Sequence, residues 1–597
     1  MQKCKKLIFN LFFIGLVVVF FASLEFSLRI SGVGIDTRPF FRHPYMSQFY
    51  VDNKQFRNKY YNRYVDLSHQ PIKNVFSYEK KPGMLRGFVI GGSTAEGFPY
   101  YSNHSFSKIL EAALREQGKY AGVEVLNMGF SAMSSFYDAD VAKKLLKYKP
   151  DFIIIYSGHN EYYGTISATT GGSYFTKKLY LFLKESRIFQ ILFNLFSDLT
   201  RSKDSGNRTM MEEQFNNQAI PLDEKFDRKV AEDFINNLDS TVRLYSRQGV
   251  HVIVVDPVCN LIDMPPFGSQ KNNDPEKEKN LKEFIKSYYN AIIVGNKIEL
   301  QKAYEERQNH LEYSSNAFIL YLDAMAREKL YNEKSLSNYL IAKDFDTVPF
   351  RCRSVFNAVI SNYSALNEGK NPYYHYIPLQ NILQSWFGHR IFGNNIFLDH
   401  VHYNWNGNVL IARILAEKIA MVYKYSDEEK KKLISFFSNP EEVKKKLYFT
   451  PLHEIFGYYS ILMLSQRPPF STMVIPFIPA PPLNNPFFRD TNIIKMTEEE
   501  AFNKIINESI EKKDYDRAFF YINSIMQVYQ AEYRNYLALA QFQEMMKSED
   551  AGYNYIVAYL LSGRNREVYS QMENYFLNNG RADMLEMVKK KYGEPRR

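Results

Sequence analysis

The sequence predicts an α/β fold built on a parallel sheet, joined to a helical insertion and an all-α C-terminal region. Three observations carry that prediction. Short apolar or β-rich runs at residues 88–90, 123–127, 152–156 and 251–256 each stop at a Gly, Asn, Ser or Pro, as buried strands do at a turn. Amphipathic stretches such as SFSKILEAALREQG and DADVAKKLLKYK fill the intervals, and strands alternating with helices imply βαβ units with helices on both faces of one sheet. The alternation is interrupted between about residues 274 and 346 by a strongly helical stretch and resumes at IFLDHVHYNWNGN, so the helices read as an insertion within the α/β domain.

The elements follow in order from the N-terminus. Lys3, Lys5 and Lys6 precede an uncharged apolar run, residues 7–24, LIFNLFFIGLVVVFFASL. It is long for a signal-peptide core, and Glu25, Phe26 and Arg29 follow where a small-residue cleavage site would stand. The expectation is therefore an uncleaved bilayer anchor over residues 1–30, lysines on the cytoplasmic side and the rest of the chain extracytoplasmic, as in a bacterial inner membrane protein facing the periplasm, with a secreted chain as the alternative if the anchor is cleaved. A lead-in over 31–84 comes next, then the α/β domain over 85–430 with its insertion at about 274–346. A helix at about 409–423 closes that domain. Residues 431–490 form a helical and proline-rich linker, whose stretch RPPFSTMVIPFIPAPPLNNPFFRD cannot continue a helix and is apolar enough to lie as a strap over a neighbour. Over 491–597 helical patterns repeat, and KKDYDRAFFYINSIM and KSEDAGYNYIVAYLL recur at a spacing like that of tetratricopeptide helix pairs. Helical hairpins of another kind would read the same way.

Length and composition set outer limits. A chain of 597 residues exceeds what one core supports, and 45% apolar with 23% charged residues excludes wholesale disorder. The net charge of +10 is spread along the chain, with no zinc-ligand spacing, ribonucleoprotein motif or basic helix, so nucleic acid is not the expected partner. Cys4, Cys259 and Cys352 make neither a disulfide framework nor a metal site.

Four loops carry the functional signal. GGST, Gly91 to Thr94, follows the first strand; NMGF, Asn127 to Phe130, the second; GHNEYYG, Gly158 to Gly164, the third; and DHVH, Asp399 to His402, comes near the end of the domain. Together and in this order they resemble the SGNH hydrolases, the GDSL-like esterase superfamily. The resemblance spans about 88–423 apart from the insertion, and it implies a three-layer α/β/α, flavodoxin-like sheet. It further implies that Ser93 is the nucleophile, that Asp399 and His402 form the Asp-x-x-His pair, and that Ser93, Gly129 and Asn160 make the oxyanion hole, with no cofactor and no metal. One departure stands out: the family's GDS is GGS here, with Gly92 in place of the aspartate.

The residue types suit that chemistry. A serine hydroxyl needs an imidazole to take its proton, His402 is the candidate, and Asp399 three residues earlier can hold the ring's other nitrogen. The backbone N–H groups of Ser93 and Gly129 and the side-chain amide of Asn160 would stabilise an oxyanion. Taken singly, each residue has a plainer reading. Ser93 and Gly129 suit ordinary turns, Asn160 a helix cap or Asx turn, and Asp399, His400 and His402 a metal site lacking its further ligands. GGSTAEG is neither a phosphate loop, having no Gly-Lys-Ser/Thr, nor a Gly-x-Ser-x-Gly elbow.

The leading expectation is an anchored serine esterase cleaving an O-acyl ester, on a glycan or lipid by what the superfamily commonly processes. An O-acyltransferase using the same triad on an envelope saccharide is the second. A tethered, non-catalytic scaffold binding a protein partner through its helical repeats is the third.

Overall fold

A computed structural model describes residues 2–61, 71–200, 210–215, 218–310, 314–388 and 391–596. A 29-residue helix, α1 (Gln2–Ile30), leads in. Its segment Phe9–Ile30 is long and apolar enough to cross a membrane, and none of its most apolar window is buried in the protein.

Three short strands follow, β1 (Phe40–Arg42), β2 (Phe49–Asp52) and β3 (Val75–Ser77), forming an antiparallel sheet within what the sequence shows only as a lead-in. This sheet docks on the main domain. Phe40 and Phe76 meet edge to face at 4.8 Å and join the core around Phe88. Below them the buried Arg86 guanidinium donates to Glu124 Oε2 at 2.7 Å, Tyr148 O at 2.8 Å and Ser77 O at 2.8 Å. A buried cation is tolerated because its N–H groups have partners.

The main sheet has five parallel strands: β4 (Met84–Gly91), β5 (Gly122–Gly129), β6 (Phe152–Tyr156), β7 (His251–Val255) and β8 (Tyr374–Ile377). They lie in the order β5-β4-β6-β7-β8. Counted within the sheet this is 2-1-3-4-5, the flavodoxin-like doubly wound order. Four of the five are legible as apolar runs, and the first of them extends back to Met84. Side chains alternate between two faces as a two-residue repeat requires. Phe88, Ile90, Ile153, Ile155, Val252 and Val254 enter one core, while Val89, Ile154, Ile253 and Val255 enter the other. Both faces are buried, which is why these strands are continuous apolar runs.

Helices cover both faces. On one side α3 (Phe106–Gln117) packs with helix Trp405–Val422 through Ile109, Leu110, Ile411 and Leu415. On the other, α4 (Ser135–Leu145) packs with helices Glu224–Ser246 and Ser354–Asn367 through Val141, Phe234, Val242 and Ile360. A single turn, α2 (Ser93–Glu96), leaves the carboxyl end of β4. Helices α5 (Tyr174–Leu183) and α6 (Arg187–Thr200) follow β6.

Between β7 and β8 come helices Pro275–Val294, Lys297–Glu306, Ala317–Tyr331 and Leu336–Asp344, which build a core of their own around Ile285, Tyr288, Ile319 and Leu322. The proline-rich stretch then crosses that region and the sheet domain, burying Phe470, Ile475 and Phe477. Six helices, Glu498–Glu511 to Ala582–Tyr592, close the chain, and their facing sides carry Ala518, Ala540, Ala551 and Ala558, each wholly buried. The first two hold the loop that follows the Ser93 turn: Tyr101 Oη donates to Glu498 Oε2 at 2.7 Å, and Asn103 Nδ2 to Gln527 O.

Candidate active site

In an open parallel sheet a crevice forms at the carboxyl ends of the strands where the strand order reverses. Here that point lies at the end of β4, between β5 and β6. Gly91 ends β4, and Ser93 starts α2 with no N-cap side chain on its N–H groups. Its Oγ lies 2.7 Å from His402 Nε2. His402 Nδ1 donates to Asp399 Oδ2 at 2.6 Å, while Asp399 Oδ1 accepts the N–H groups of Val401 and His402, both at 2.9 Å. The carboxylate thus fixes both the tautomer and the plane of the ring. Burial pushes the Asp399 carboxyl up, but the His402 and His400 imidazoles and these donors pull it, on balance, well below the usual carboxylate range. Phe98 lies edge-on to the His402 ring at 4.7 Å, and Thr94 Oγ1 donates to Val401 O at 3.3 Å, tying the serine turn to the histidine loop.

Asp399, His400 and His402 also bring possible ligand atoms within 4.8 Å of one another. Asp399 already accepts three hydrogen bonds, and the free lone pair of His402 faces Ser93. His400 Nδ1 also lies 3.3 Å from Asp399 Oδ1, and its ring is packed edge-on to Phe267 at 5.4 Å and Phe470 at 5.7 Å.

Asn160 lies beside the serine turn and its Nδ2 donates to Met133 O at 2.9 Å, leaving that amide a second hydrogen. A Cβ at Gly92 would meet the same Nδ2, so a side chain there would require the Asn160 amide to shift.

Gly129 differs from its expected role. Its N–H donates to Asn127 Oδ1 at 2.9 Å and is engaged, while its missing Cβ lets β5 approach the backbone of Ala95 and Glu96. Gly129 allows close packing of β5 on the Ser93 turn. Asn127, which in the sequence marks only a strand end, does more: its Nδ2 donates to Ala95 O at 2.9 Å and to Ser105 Oγ and Ser107 Oγ at 3.0 Å. Three residues beyond Gly129, Ala132 adopts a left-handed φ of 66°. That strain at a non-glycine residue sits next to Met133, whose carbonyl holds Asn160, and nothing in the sequence signals it.

His159, within the GHNEYYG loop but given no role by it, also lines the site. Its Nδ1 accepts from Cys352 N at 3.3 Å and its Nε2 lies 3.2 Å from Val258 O, so both nitrogens are engaged by backbone. Burial pushes its pKa down to about 3, which makes it a neutral wall of the site. With Gly92, Ser93, Asn160, Phe350 and His400 it lines a small cavity of ≈ 30 Å³.

The loop bearing Asn160 is rooted by Glu161, which accepts from Ser135 N at 2.7 Å and Ser135 Oγ at 2.8 Å. Burial pushes its pKa up to about 7. The folded protein then holds the proton more tightly than the unfolded chain, so stability is highest below the ordinary value of 4.5 and falls as pH rises towards 7. Glu161→Gln cannot ionise and keeps both Ser135 contacts. It is expected to match the native protein near pH 4 and to exceed its stability by on the order of 3 kcal/mol above pH 7. Unfolding midpoints across that range check this, and a constant difference at all pH values would refute it.

The fold is the one that the resemblance to SGNH hydrolases implies. Eight solved chains match this one. Among them are a two-domain esterase active on acetylated mannans, 12% identical over 57% of this chain and 50% of its own with a TM-score of 0.26, and a gut microbial diltiazem-metabolizing enzyme, 10% identical over 57% and 47% with a TM-score of 0.24. A third, described as a lipolytic protein of the G-D-S-L family from Desulfitobacterium hafniense DCB-2, is 14% identical over 34% of this chain and 70% of its own with a TM-score of 0.16. The chain thus spans about half the length of the first two. No protein-family model and no curated protein matches. Scores and identities this low carry no function across, and the activity of this chain has to be argued from its own side chains.

Proposed function

We propose that this chain is a membrane-anchored serine esterase of the SGNH type, acting outside the cytoplasm on a small O-acyl ester of a glycan or lipid. The observation that carries the reading is the Ser93 Oγ to His402 Nε2 contact of 2.7 Å, backed by Asp399 on the other ring nitrogen. His402 takes the Ser93 proton as Oγ attacks the ester carbonyl, then delivers it to the departing alkoxide, leaving an acyl-serine. Water, deprotonated by the same nitrogen, releases the acid and restores Ser93. The oxyanion is received by the Ser93 N–H at the start of α2 and the spare hydrogen of Asn160 Nδ2.

The ≈ 30 Å³ cavity beside Ser93 suits an acyl group as small as acetyl. His402 is only 5% exposed, which supports a transferase variant in which a saccharide hydroxyl replaces water at the acyl-serine. Alternate helices of the tail begin at Glu498, Tyr533 and Arg566, close to the repeat of about 34 residues in tetratricopeptide arrays, and would bind a protein partner. Helix α1 is the anchor, and its leading lysines hold the N-terminus in the cytoplasm.

A serine-directed phosphonate is expected to label Ser93, found by mass spectrometry of its peptide, and the full chain is expected to release acetate from an aryl acetate. Added saccharides that divert the acyl group would select the transferase. Neither label nor turnover would leave only the scaffold.

A further inference from the structure

Helices α5 and α6 carry an apolar face turned outward. Phe175 and Phe182 on α5 and Leu192 and Leu195 on α6 are all more than half exposed, Phe182 to 71%. Their spacings of about one or two helical turns place them on one side of each helix. Soluble surfaces rarely gather this many large apolar side chains without a partner.

The pair is fixed to α1, the chain's one membrane-length helix among the described residues. Glu25, on the last turns of α1, accepts the N–H groups of Arg187 at 2.9 Å and Ile188 at 3.1 Å and so caps α6. Arg29 Nη2 donates to Glu185 O at 2.7 Å, and Gln190 closes a two-way bond with the backbone of Ile35 just beyond α1. Where α1 leaves the bilayer, α5 and α6 are therefore beside it.

A basic pocket of ≈ 270 Å³ adjoins the apolar face, lined by Lys143, Lys144, Lys178, Asp140, Glu185, Leu181 and Phe182. The buried Lys59 already pairs with both carboxylates, and Lys144 shares Glu185. The pocket's lysines thus exceed the negative charge available to them. Burial, with Lys143 alongside, holds the Lys178 ammonium down to about 8, as a cation short of a counter-ion would be.

We propose that α5 and α6 lie in the bilayer interface as a second membrane contact, with the Lys143, Lys144 and Lys178 pocket taking the phosphate of an anionic lipid. Apolar side chains enter the acyl boundary while the adjoining cations face the headgroups, as in interfacial amphipathic helices. The proposal rests on α1 being the anchor, and the test separates the two.

Full-length protein on a Cys4→Ser background, in lipid nanodiscs with or without phosphatidylglycerol, would carry one nitroxide at a time. Phe182→Cys, Leu192→Cys and Leu195→Cys probe the face, Leu16→Cys the anchor and Lys229→Cys, on an exposed position, the solvent. Oxygen is expected to relax the three face labels several-fold more than a water-soluble nickel chelate does, as it should at 16 and not at 229. Lys143→Glu with Lys178→Glu should shift the face labels towards water only in phosphatidylglycerol discs. Nickel-accessible labels at 192 and 195 with 16 in lipid would overturn the interface alone. Face labels shielded from both reagents would mean that protein, such as a second copy, covers the face, which overturns it too. A water-exposed label at 16 would remove the anchor and the proposal together.

Discussion

Ser93→Ala is expected to lower kcat for an acyl ester by about 10⁶, and His402→Ala by as much. Each change removes half of one act. Without the hydroxyl there is no acyl-serine, and without the His402 imidazole 2.7 Å away the hydroxyl keeps its proton. Because the two residues work as a unit, the double variant should lose little more than either single one. A residual rate of roughly 10³–10⁴ over water should persist, supplied by the oxyanion donors and binding alone. Single-turnover rates on an aryl acetate, with unfolding midpoints as a check on folding, measure this. Losses that multiply in the double variant would mean that the two side chains do not act together.

Asp399→Asn is expected to cost roughly 10⁴ in kcat while leaving the fold intact. The amide oxygen can still accept the N–H groups of Val401 and His402, so the loop should hold its shape. The change falls on the other atom. An amide NH₂ in place of Oδ2 would face His402 Nδ1, which now donates at 2.6 Å. To avoid two donors meeting, the ring must move its proton to Nε2, and an Nε2–H cannot accept from Ser93. A pH–rate profile on the variant distinguishes this from simple unfolding, since a mispositioned tautomer lowers the plateau while the melting temperature stays near that of the native protein. An unchanged rate would remove Asp399 from the mechanism.

The site is readable in the sequence to the extent that its residues carry their chemistry in their identity. Ser93, Asn160, Asp399 and His402 each follow an apolar run or lie in a polar cluster, and their order along the chain is informative because a parallel sheet delivers loops to one edge. Gly129 reads as an oxyanion donor, and what its sequence position does not reveal is the close approach of the Ala95 and Glu96 backbone, which a Cβ would block. Ala132 cannot be singled out, because a left-handed alanine looks like any other in sequence. His159 looks like a spacer between Gly158 and Asn160, and only its distant partners Val258 and Cys352 give it a role.

The fold is readable where burial is two-sided. β4, β6 and β7 have both faces covered and appear as solid apolar runs. β8 lies at the edge of the sheet and reads Tyr-His-Tyr-Ile, with only Tyr374 and Ile377 buried, so it resembles a loop. β1, β2 and β3 have three or four residues each and are held by long-range partners such as Arg86, which periodicity does not reveal.

The two reacting atoms belong to residues 309 positions apart in the chain. During synthesis at about 5–20 residues per second, Ser93 precedes its base by roughly 15–60 s. On the esterase reading, the growing polypeptide carries an ordinary, unactivated hydroxyl for that interval and cannot yet attack an ester. On the same reading, activity waits for the segment bearing Asp399 and His402 to fold back against the sheet, so the length of the chain between them acts as a delay built into its manufacture.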